Sequence, residues 1–280
     1  MWATAQSTGP VQRKGRYVAE SVKHPARMLP AIAAHAIAHY TEPGDLVLDP
    51  MCGIGTTLVE AVHAGRDAFG VEYESKWSDI ADANIKHAHA QGATGRAGVI
   101  RGDSTNILSL VPAALTGQVA LVVTSPPYGP TVHGLVEPGE AGVRKSDNTY
   151  NDGTDKGNLA YRDLTGLADG FAQILAGCKV LLRPGGFVAV TARPWRKNGQ
   201  LVDLPSAVIG AGVRAGLTPV DRCVALLAAV RDGGLVARPS FFQLQAVRKS
   251  RAGGTPMHLI AHEDVLIFQA PPVPDGGVVA

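Results

Sequence analysis

Short apolar runs that stop at a polar residue alternate with helix-like stretches along most of the chain. Leu46-Val47-Leu48 stops at Asp49, Ala68-Phe69-Gly70-Val71 at Glu72, and Gly98-Val99-Ile100-Arg101-Gly102 at Asp103. Val119-Ala120-Leu121-Val122-Val123 stops at Thr124-Ser125, and Phe187 to Thr191 is a further run of the same kind. Such runs, bounded by turn formers, predict strands buried on both faces. Leu58 to Gly65 predicts a short helix ending at its glycine. The alternation implies an α/β fold, a parallel sheet with helices on both faces, and ligands at the carboxyl ends of the strands. Three of those ends carry an acid.

Two segments break the rhythm. Residues 129–160 are rich in Gly, Asp and Asn and exceed what a compact domain leaves without structure, so we expect a mobile loop on the substrate side. Residues 231–258 place Phe241-Phe242-Gln243-Leu244-Gln245 before basic residues and form a second expected substrate-side insertion. Residues 1–22 are polar and weakly patterned, which predicts a flexible N-terminal arm. Residues 271–280, with Pro-Pro and Gly-Gly pairs, predict a flexible tail. One domain over 23–270 remains.

Composition narrows the chemistry. With 280 residues and 45% hydrophobic content the chain can bury one substantial core. Cys52, Cys178 and Cys223 have no paired spacing, so they predict neither a disulfide framework nor a zinc site and suit a reducing cytoplasm. The histidines add no metal site: His87 and His89 are two apart on a helix, and His262-Glu263 lacks the second histidine of a metalloprotease helix. No signal peptide or apolar run of about 18 residues is visible, so neither secretion nor membrane insertion is expected. A net charge of +2 is low for a wide grip on a polyanion, which leaves local patches to do it. Arg13-Lys14-Gly15-Arg16, Arg193-Pro194-Trp195-Arg196-Lys197 and Arg248-Lys249-Ser250-Arg251 are the candidates. The second follows the Phe187 to Thr191 strand and so emerges at the same sheet edge as Ser125.

After Asp49, the segment Pro50-Met51-Cys52-Gly53-Ile54-Gly55-Thr56-Thr57 forms a glycine turn between strand and helix. Gly53 and Gly55 permit positive φ and close approach of a ligand to the backbone. The dinucleotide fingerprint fits imperfectly, because Leu58 stands where its third glycine belongs and Asp49 would repel a pyrophosphate. A carboxylate there prefers a cation, and S-adenosylmethionine offers an ammonium and a sulfonium without any phosphate. Glu72 follows the glycines by about 20 residues, the distance at which an acid reaches ribose hydroxyls. Downstream, Thr124-Ser125-Pro126-Pro127-Tyr128-Gly129 ends its strand in an extended turn whose prolines remove two N–H donors. Carbonyls and a hydroxyl beside an aromatic face suit a planar base with an exocyclic amine.

With these residues assembled, the chain resembles the S-adenosylmethionine-dependent DNA N4-cytosine/N6-adenine amino-methyltransferase family. The resemblance rests on His24-Pro25-Ala26-Arg27-Met28-Leu29-Pro30, Asp49 to Thr56, Thr124 to Tyr128, Leu182-Arg183-Pro184-Gly185-Gly186-Phe187 and His262 to Phe268, in the motif order of one permuted class. It implies a single Rossmann-like methyltransferase domain with a seven-stranded, mostly parallel sheet, whose antiparallel strand lies near Asp264 to Gln269. It also implies S-adenosylmethionine as cofactor, DNA as partner in a restriction-modification setting, and a monomer or homodimer. By the same likeness Asp49 takes the methionine ammonium, Glu72 the ribose, and Asp103 with Ser104 the adenine edge. His24-Pro25, Pro50, Gly53, Gly55, Thr56 and Thr57 complete the cofactor set. Ser125, Pro126, Pro127 and Tyr128 are the catalytic set, and serine in first place leans toward cytosine N4. Arg193, Arg196, Lys197, Arg248, Lys249 and Arg251 are the candidate nucleic-acid contacts. Adenine N6, a tRNA or rRNA guanine-N2 activity, and a noncatalytic nucleic-acid-binding module are the competing readings. No large target-recognition domain is visible.

Overall fold

A computed structural model describes residues 1–128, 157–197, 200–239 and 241–272, with the backbone alone of 136–139, 142–145, 197, 241 and 242. In chain order the elements begin with α1 (Gly9–Arg13), α2 (Pro30–Tyr40), β1 (Leu46–Asp49), α3 (Thr56–His63), β2 (Asp67–Glu72), α4 (Ser75–Ala90) and β3 (Ala97–Arg101). They continue with α5 (Ile107–Leu110), β4 (Val119–Thr124), β5 (Val136–Gly139), β6 (Gly142–Lys145), α6 (Leu164–Leu181), β7 (Leu182–Ala192), β8 (Trp195–Lys197) and β9 (Gln200–Val202). The last are α7 (Leu204–Arg214), β10 (Thr218–Leu226), β11 (Ala228–Arg231), β12 (Gly234–Ala237), α8 (Phe241–Ala252) and β13 (His262–Gln269).

Seven strands form one sheet in the order β10-β13-β7-β4-β1-β2-β3. Pairing is parallel from β3 to β7, and β13 runs antiparallel to both β7 and β10. The expected α/β architecture, with an antiparallel strand at Asp264 to Gln269, is the observed one. Successive side chains of the central strands point to opposite faces and feed two cores. Leu48, Val122, Val188, Val190, Leu266 and Phe268 pack with Leu167, Phe171 and Ile174 of α6 and Val208 of α7. Val47, Leu121, Val123, Ala189, Val265 and Ile267 pack with Ile32 and Ile37 of α2, Leu58 of α3 and Ile85 of α4. Burial on both faces explains why these strands read as unbroken apolar runs.

The chain runs outward from β1 through β2 to β3 and then returns to place β4 on the other side of β1. Strand order reverses between β1 and β4, and ligands of open parallel sheets bind in the crevice at such a reversal. The helix α6 is long and apolar enough to cross a membrane by length and composition. Its buried side chains Leu167, Phe171, Ile174, Leu175 and Cys178 are core.

Residues 1–22 are not a free arm. Trp2 adds a parallel bridge to the outer edge of β10, donating to Val224 O at 2.7 Å and accepting from Leu226 N at 2.8 Å. Its ring packs 4.4 Å from that of His35. Arg16 binds Glu60 through both Nε and Nη2, at 2.8 and 2.6 Å, while the Tyr17 hydroxyl donates to Glu60 Oε1 at 2.7 Å. The segment looked polar because its polar groups have specific partners on α3 and α4; Asn84, fully buried, accepts from Val18 N and donates to Ile54 O. In the 129–160 segment the backbone forms the β5–β6 hairpin and the short turn Leu159–Tyr161, and the rest of that expected loop lies outside the described residues up to 156. The 231–258 segment completes the β11–β12 hairpin and contains α8. Of the expected tail, Pro271 O accepts from Gly185 N at 3.3 Å, and 273–280 lie outside the described residues.

Candidate active site

At the carboxyl edge of the sheet a cavity of about 910 Å³ opens between the ends of β1, β2 and β4 and the segment 9–29. Its size falls in the range usual for small-molecule sites. Asp49, the last residue of β1, is buried; its Oδ2 accepts from Thr57 Oγ1 at 2.7 Å and its Oδ1 from Met51 N at 3.1 Å. Glu72, the last residue of β2, accepts from Gly53 N at 2.8 Å and from Glu74 N at 2.9 Å. The two acids thus brace the turn that sequence spacing placed between them. Burial pushes the Asp49 carboxyl up to about 6 and the Glu72 carboxyl up to about 7, against the pull of those hydrogen bonds. These donors offset the desolvation of the two carboxyls only in part.

The turn itself needs its glycines for two reasons. Gly53 has φ +53°, and a Cβ there would stand 3.1 Å from His24 Nε2, so the imidazole lies directly on the turn. The ring is buried, meets Trp77 edge-on at 4.6 Å, and its Nδ1 accepts from Ala26 N at 3.2 Å. Gly55, at φ +78°, closes the turn by donating to Cys52 O at 2.7 Å and caps α3, where a Cβ would press on Ala81. It lies behind the cavity wall, whereas His24, Pro25, Pro50, Gly53, Thr56 and Thr57 line it. Asp103 and Ser104 also line it: Asp103 Oδ1 caps the next turn through Thr105 N at 2.9 Å, and the Ser104 hydroxyl donates to Pro50 O. Cys52 faces the cavity too, but burial raises its thiol well above the ordinary range, as it does for Cys178.

Ser125, Pro126, Pro127 and Tyr128 follow β4 and form the opposite wall. The Tyr128 hydroxyl donates to Glu263 Oε2 at 2.5 Å. Arg193, just beyond β7, has its guanidinium carbon 5.5 Å from the centre of the Tyr128 ring and its Nε 4.0 Å from Glu263 Oε1. Trp195 adds a tilted ring 6.5 Å from Tyr128. Glu263, with a side chain only 14% exposed, has its pKa raised chiefly by burial and pulled back by Arg193 and Tyr128. Sequence reasoning did not single out Glu263. Because β13 is antiparallel, its first residues arrive at the edge where the parallel strands end; Asp264 pairs with Ala192.

Arg193 lines the cavity, at the same sheet edge as Ser125. Arg196, Arg248, Lys249 and Arg251 are exposed and do not line it, while the Lys197 side chain lies outside the described residues. Arg251 bonds Met257 O at 2.7 Å. Among the described residues no group of three His, Cys, Asp or Glu converges as a metal site.

Residues 1–83 match the family model described as DNA methylase. Among curated proteins the chain is 39% identical over 54 residues to the Type II methyltransferase M.MthZI of Methanothermobacter thermautotrophicus, covering 19% of this chain and 15% of that one. It is 37% identical over 62 residues to the Type II methyltransferase M.BglII of Bacillus subtilis, covering 22% of this chain and 17% of that one. The similarity thus spans less than a fifth of either relative's length. Among solved structures, TrmN from Thermus thermophilus superposes with a TM-score of 0.51 at 17% identity, over 93% of this chain and 53% of that one, and shares the fold. The matched residues run through His24, the glycine turn, Asp49 and Glu72, so over this first part the chain is similar to the DNA methylase family.

Proposed function

We propose that the protein is an S-adenosylmethionine-dependent DNA methyltransferase acting on the exocyclic amine of a flipped base, with cytosine N4 as its target. The observation that carries this reading is the single cavity lined on one side by Asp49, Glu72 and Asp103 and on the other by Ser125 to Tyr128. Two desolvated carboxylates suit an ammonium and ribose hydroxyls, and the glycine turn with His24 against it leaves backbone accessible to a ligand. When bound, the cofactor supplies an electrophilic methyl group. Asp49 holds the ammonium, Glu72 the ribose, and Asp103 with Ser104 the adenine edge, while His24-Pro25 closes over the methionine end.

An exocyclic amine is a poor nucleophile because its lone pair is delocalised into the ring. The Ser125 hydroxyl and the carbonyls of Ser125 and Pro126 accept hydrogen bonds from the amine and favour the pyramidal nitrogen that can attack; after methyl transfer the nitrogen sheds its extra proton to solvent, with the sulfonium converted to a neutral thioether. Most of the acceleration then comes from positioning and electrostatics. Tyr128 stacks on the base, a contact worth roughly 1–3 kcal/mol, and Glu263 fixes the ring through the hydroxyl it binds. Burial raises the thiols of Cys52 and Cys178, and Cys223 does not line the cavity, which disfavours a cysteine nucleophile for attack at cytosine C5. Expression in a methylation-free host, followed by mass spectrometry of DNA and RNA nucleosides, tests the reading. N4-methylcytosine in DNA is the expected product. N6-methyladenine moves the target base, and a modified RNA nucleoside alone, or none, overturns the proposal.

A further inference from the structure

The N-terminal wall of the cavity contains two arginines that form no ion pair with an acid among the described residues. Arg13, at the end of α1, and Arg27, just before α2, both line the cavity. Arg13 Nη2 donates to Met28 O, and Arg27 Nη1 donates to Ser21 O at 2.9 Å, so the identified acceptors are backbone carbonyls. Arg13 Nε is buried with no hydrogen-bond partner. The acid nearest to them in effect, Glu60, is already committed to Arg16 and Tyr17 through both oxygens. Burial depresses both guanidinium pKa values, Arg27 to about 10, and the charge of Arg13 depresses that of Arg27 further. Two like charges, both half-buried and with no ion-pair partner among the described residues, are costly unless something negative completes them.

We infer that Arg13 and Arg27 form an oxyanion subsite on this wall, one that takes a carboxylate or a phosphate. Guanidinium groups match both anions through paired N–H donors. The carboxylate source is the amino-acid portion of a bound nucleoside cofactor, and the phosphate source is the backbone of a nucleic-acid strand. The first source rests on the methyl-transfer reading above; the existence of the subsite does not.

The first test uses inorganic phosphate at constant ionic strength, read by thermal unfolding. The wild-type protein should gain Tm saturably over matched chloride, and Arg13→Gln and Arg27→Gln should each raise the half-saturating phosphate concentration at least about tenfold. Arg27→Lys should keep most of the response, and far-UV circular dichroism with Tm in chloride checks that each variant folds. A wild type that responds no more to phosphate than to chloride, or glutamine variants that respond as wild type does, overturns the subsite. The second test names the source. If it is the carboxylate, the variants weaken S-adenosylhomocysteine about tenfold and leave methylthioadenosine, which lacks the amino-acid portion, unchanged. If it is the phosphate, nucleoside binding is kept while DNA affinity and its salt slope fall. No change in either measurement overturns a functional role. Failure of the wild type to bind either nucleoside would instead tell against the methyl-transfer reading, leaving the phosphate result to decide the subsite.

Discussion

The two walls of the cavity are built in different ways. The acidic wall is local: Asp49, Gly53, Thr57 and Glu72 lie within one strand–turn–helix–strand unit, and each acid is held by backbone or side-chain donors of that same unit. The Tyr128 wall is assembled from afar, since Tyr128 meets a carboxylate 135 positions later and a guanidinium from beyond β7. A local wall is formed before any ligand arrives and carries the cost of desolvated charge. The distant wall exists only when β4, β7 and β13 have paired. Substitutions on the first should therefore trade stability against cofactor affinity, whereas those on the second should alter turnover alone.

The largest expected effect is on Ser125→Ala, which on the proposed mechanism removes an acceptor for the amine and should lower kcat on the order of 10²-fold with the dissociation constant for S-adenosylhomocysteine unchanged. Equal loss of both would erase the division between the walls. Asp49→Asn should weaken S-adenosylhomocysteine by roughly 10- to 150-fold, the value of a charge-assisted hydrogen bond. The unliganded variant should nonetheless be more stable than wild type at pH 8, because asparagine carries no charge to desolvate; calorimetry and thermal unfolding check the two halves.

The pH dependence follows from the same charges. Asp49 and Glu72 have folded pKa values of about 6 and about 7, above their ordinary values, so the folded state holds these protons more tightly than the unfolded state. Each group therefore lowers stability as pH rises from the ordinary carboxylate range through its folded value, by on the order of 3 kcal/mol at completion. Cationic and hydroxyl donors prefer the ionised acids, so S-adenosylhomocysteine should bind more tightly as pH rises to about 7 and should release protons on binding near pH 6. Titration calorimetry in buffers of different ionisation enthalpy measures that release. The smallest effect is expected on the distant wall, where Tyr128→Phe and Glu263→Gln should each reduce kcat by about tenfold, the scale of one hydrogen bond to a charged group. The double variant should be little worse than either, which a double-mutant cycle reads.

Much of the fold was legible because the central strands are buried on both faces and so advertise themselves as apolar runs ending in polar residues. The acidic wall was legible for the same reason, its residues being the ends of those runs. Three features were not. The N-terminal segment looked disordered because Arg16, Tyr17 and Trp2 find their partners on α3, α2 and the edge of β10. Arg193 was expected at the Ser125 edge, but its position over Tyr128 was not, because that contact depends on β7 lying next to β4. Glu263 was legible only as part of the closing strand, with nothing to mark it as a site residue.

Sequence alone determined the strand ends, the glycine turn between Asp49 and Glu72, and the proline-flanked turn at Ser125, because each depends on contacts within a few residues or on the backbone limits of Gly and Pro. Tertiary structure decided which distant groups meet those ends. The antiparallel insertion of β13 between β7 and β10 turns the start of a strand toward an edge made otherwise of strand ends, and the docking of residues 1–29 adds Arg13 and Arg27 to the lining of the same cavity. Strand direction and sheet order are long-range choices, set by packing across the whole core, and no local pattern of residues encodes them.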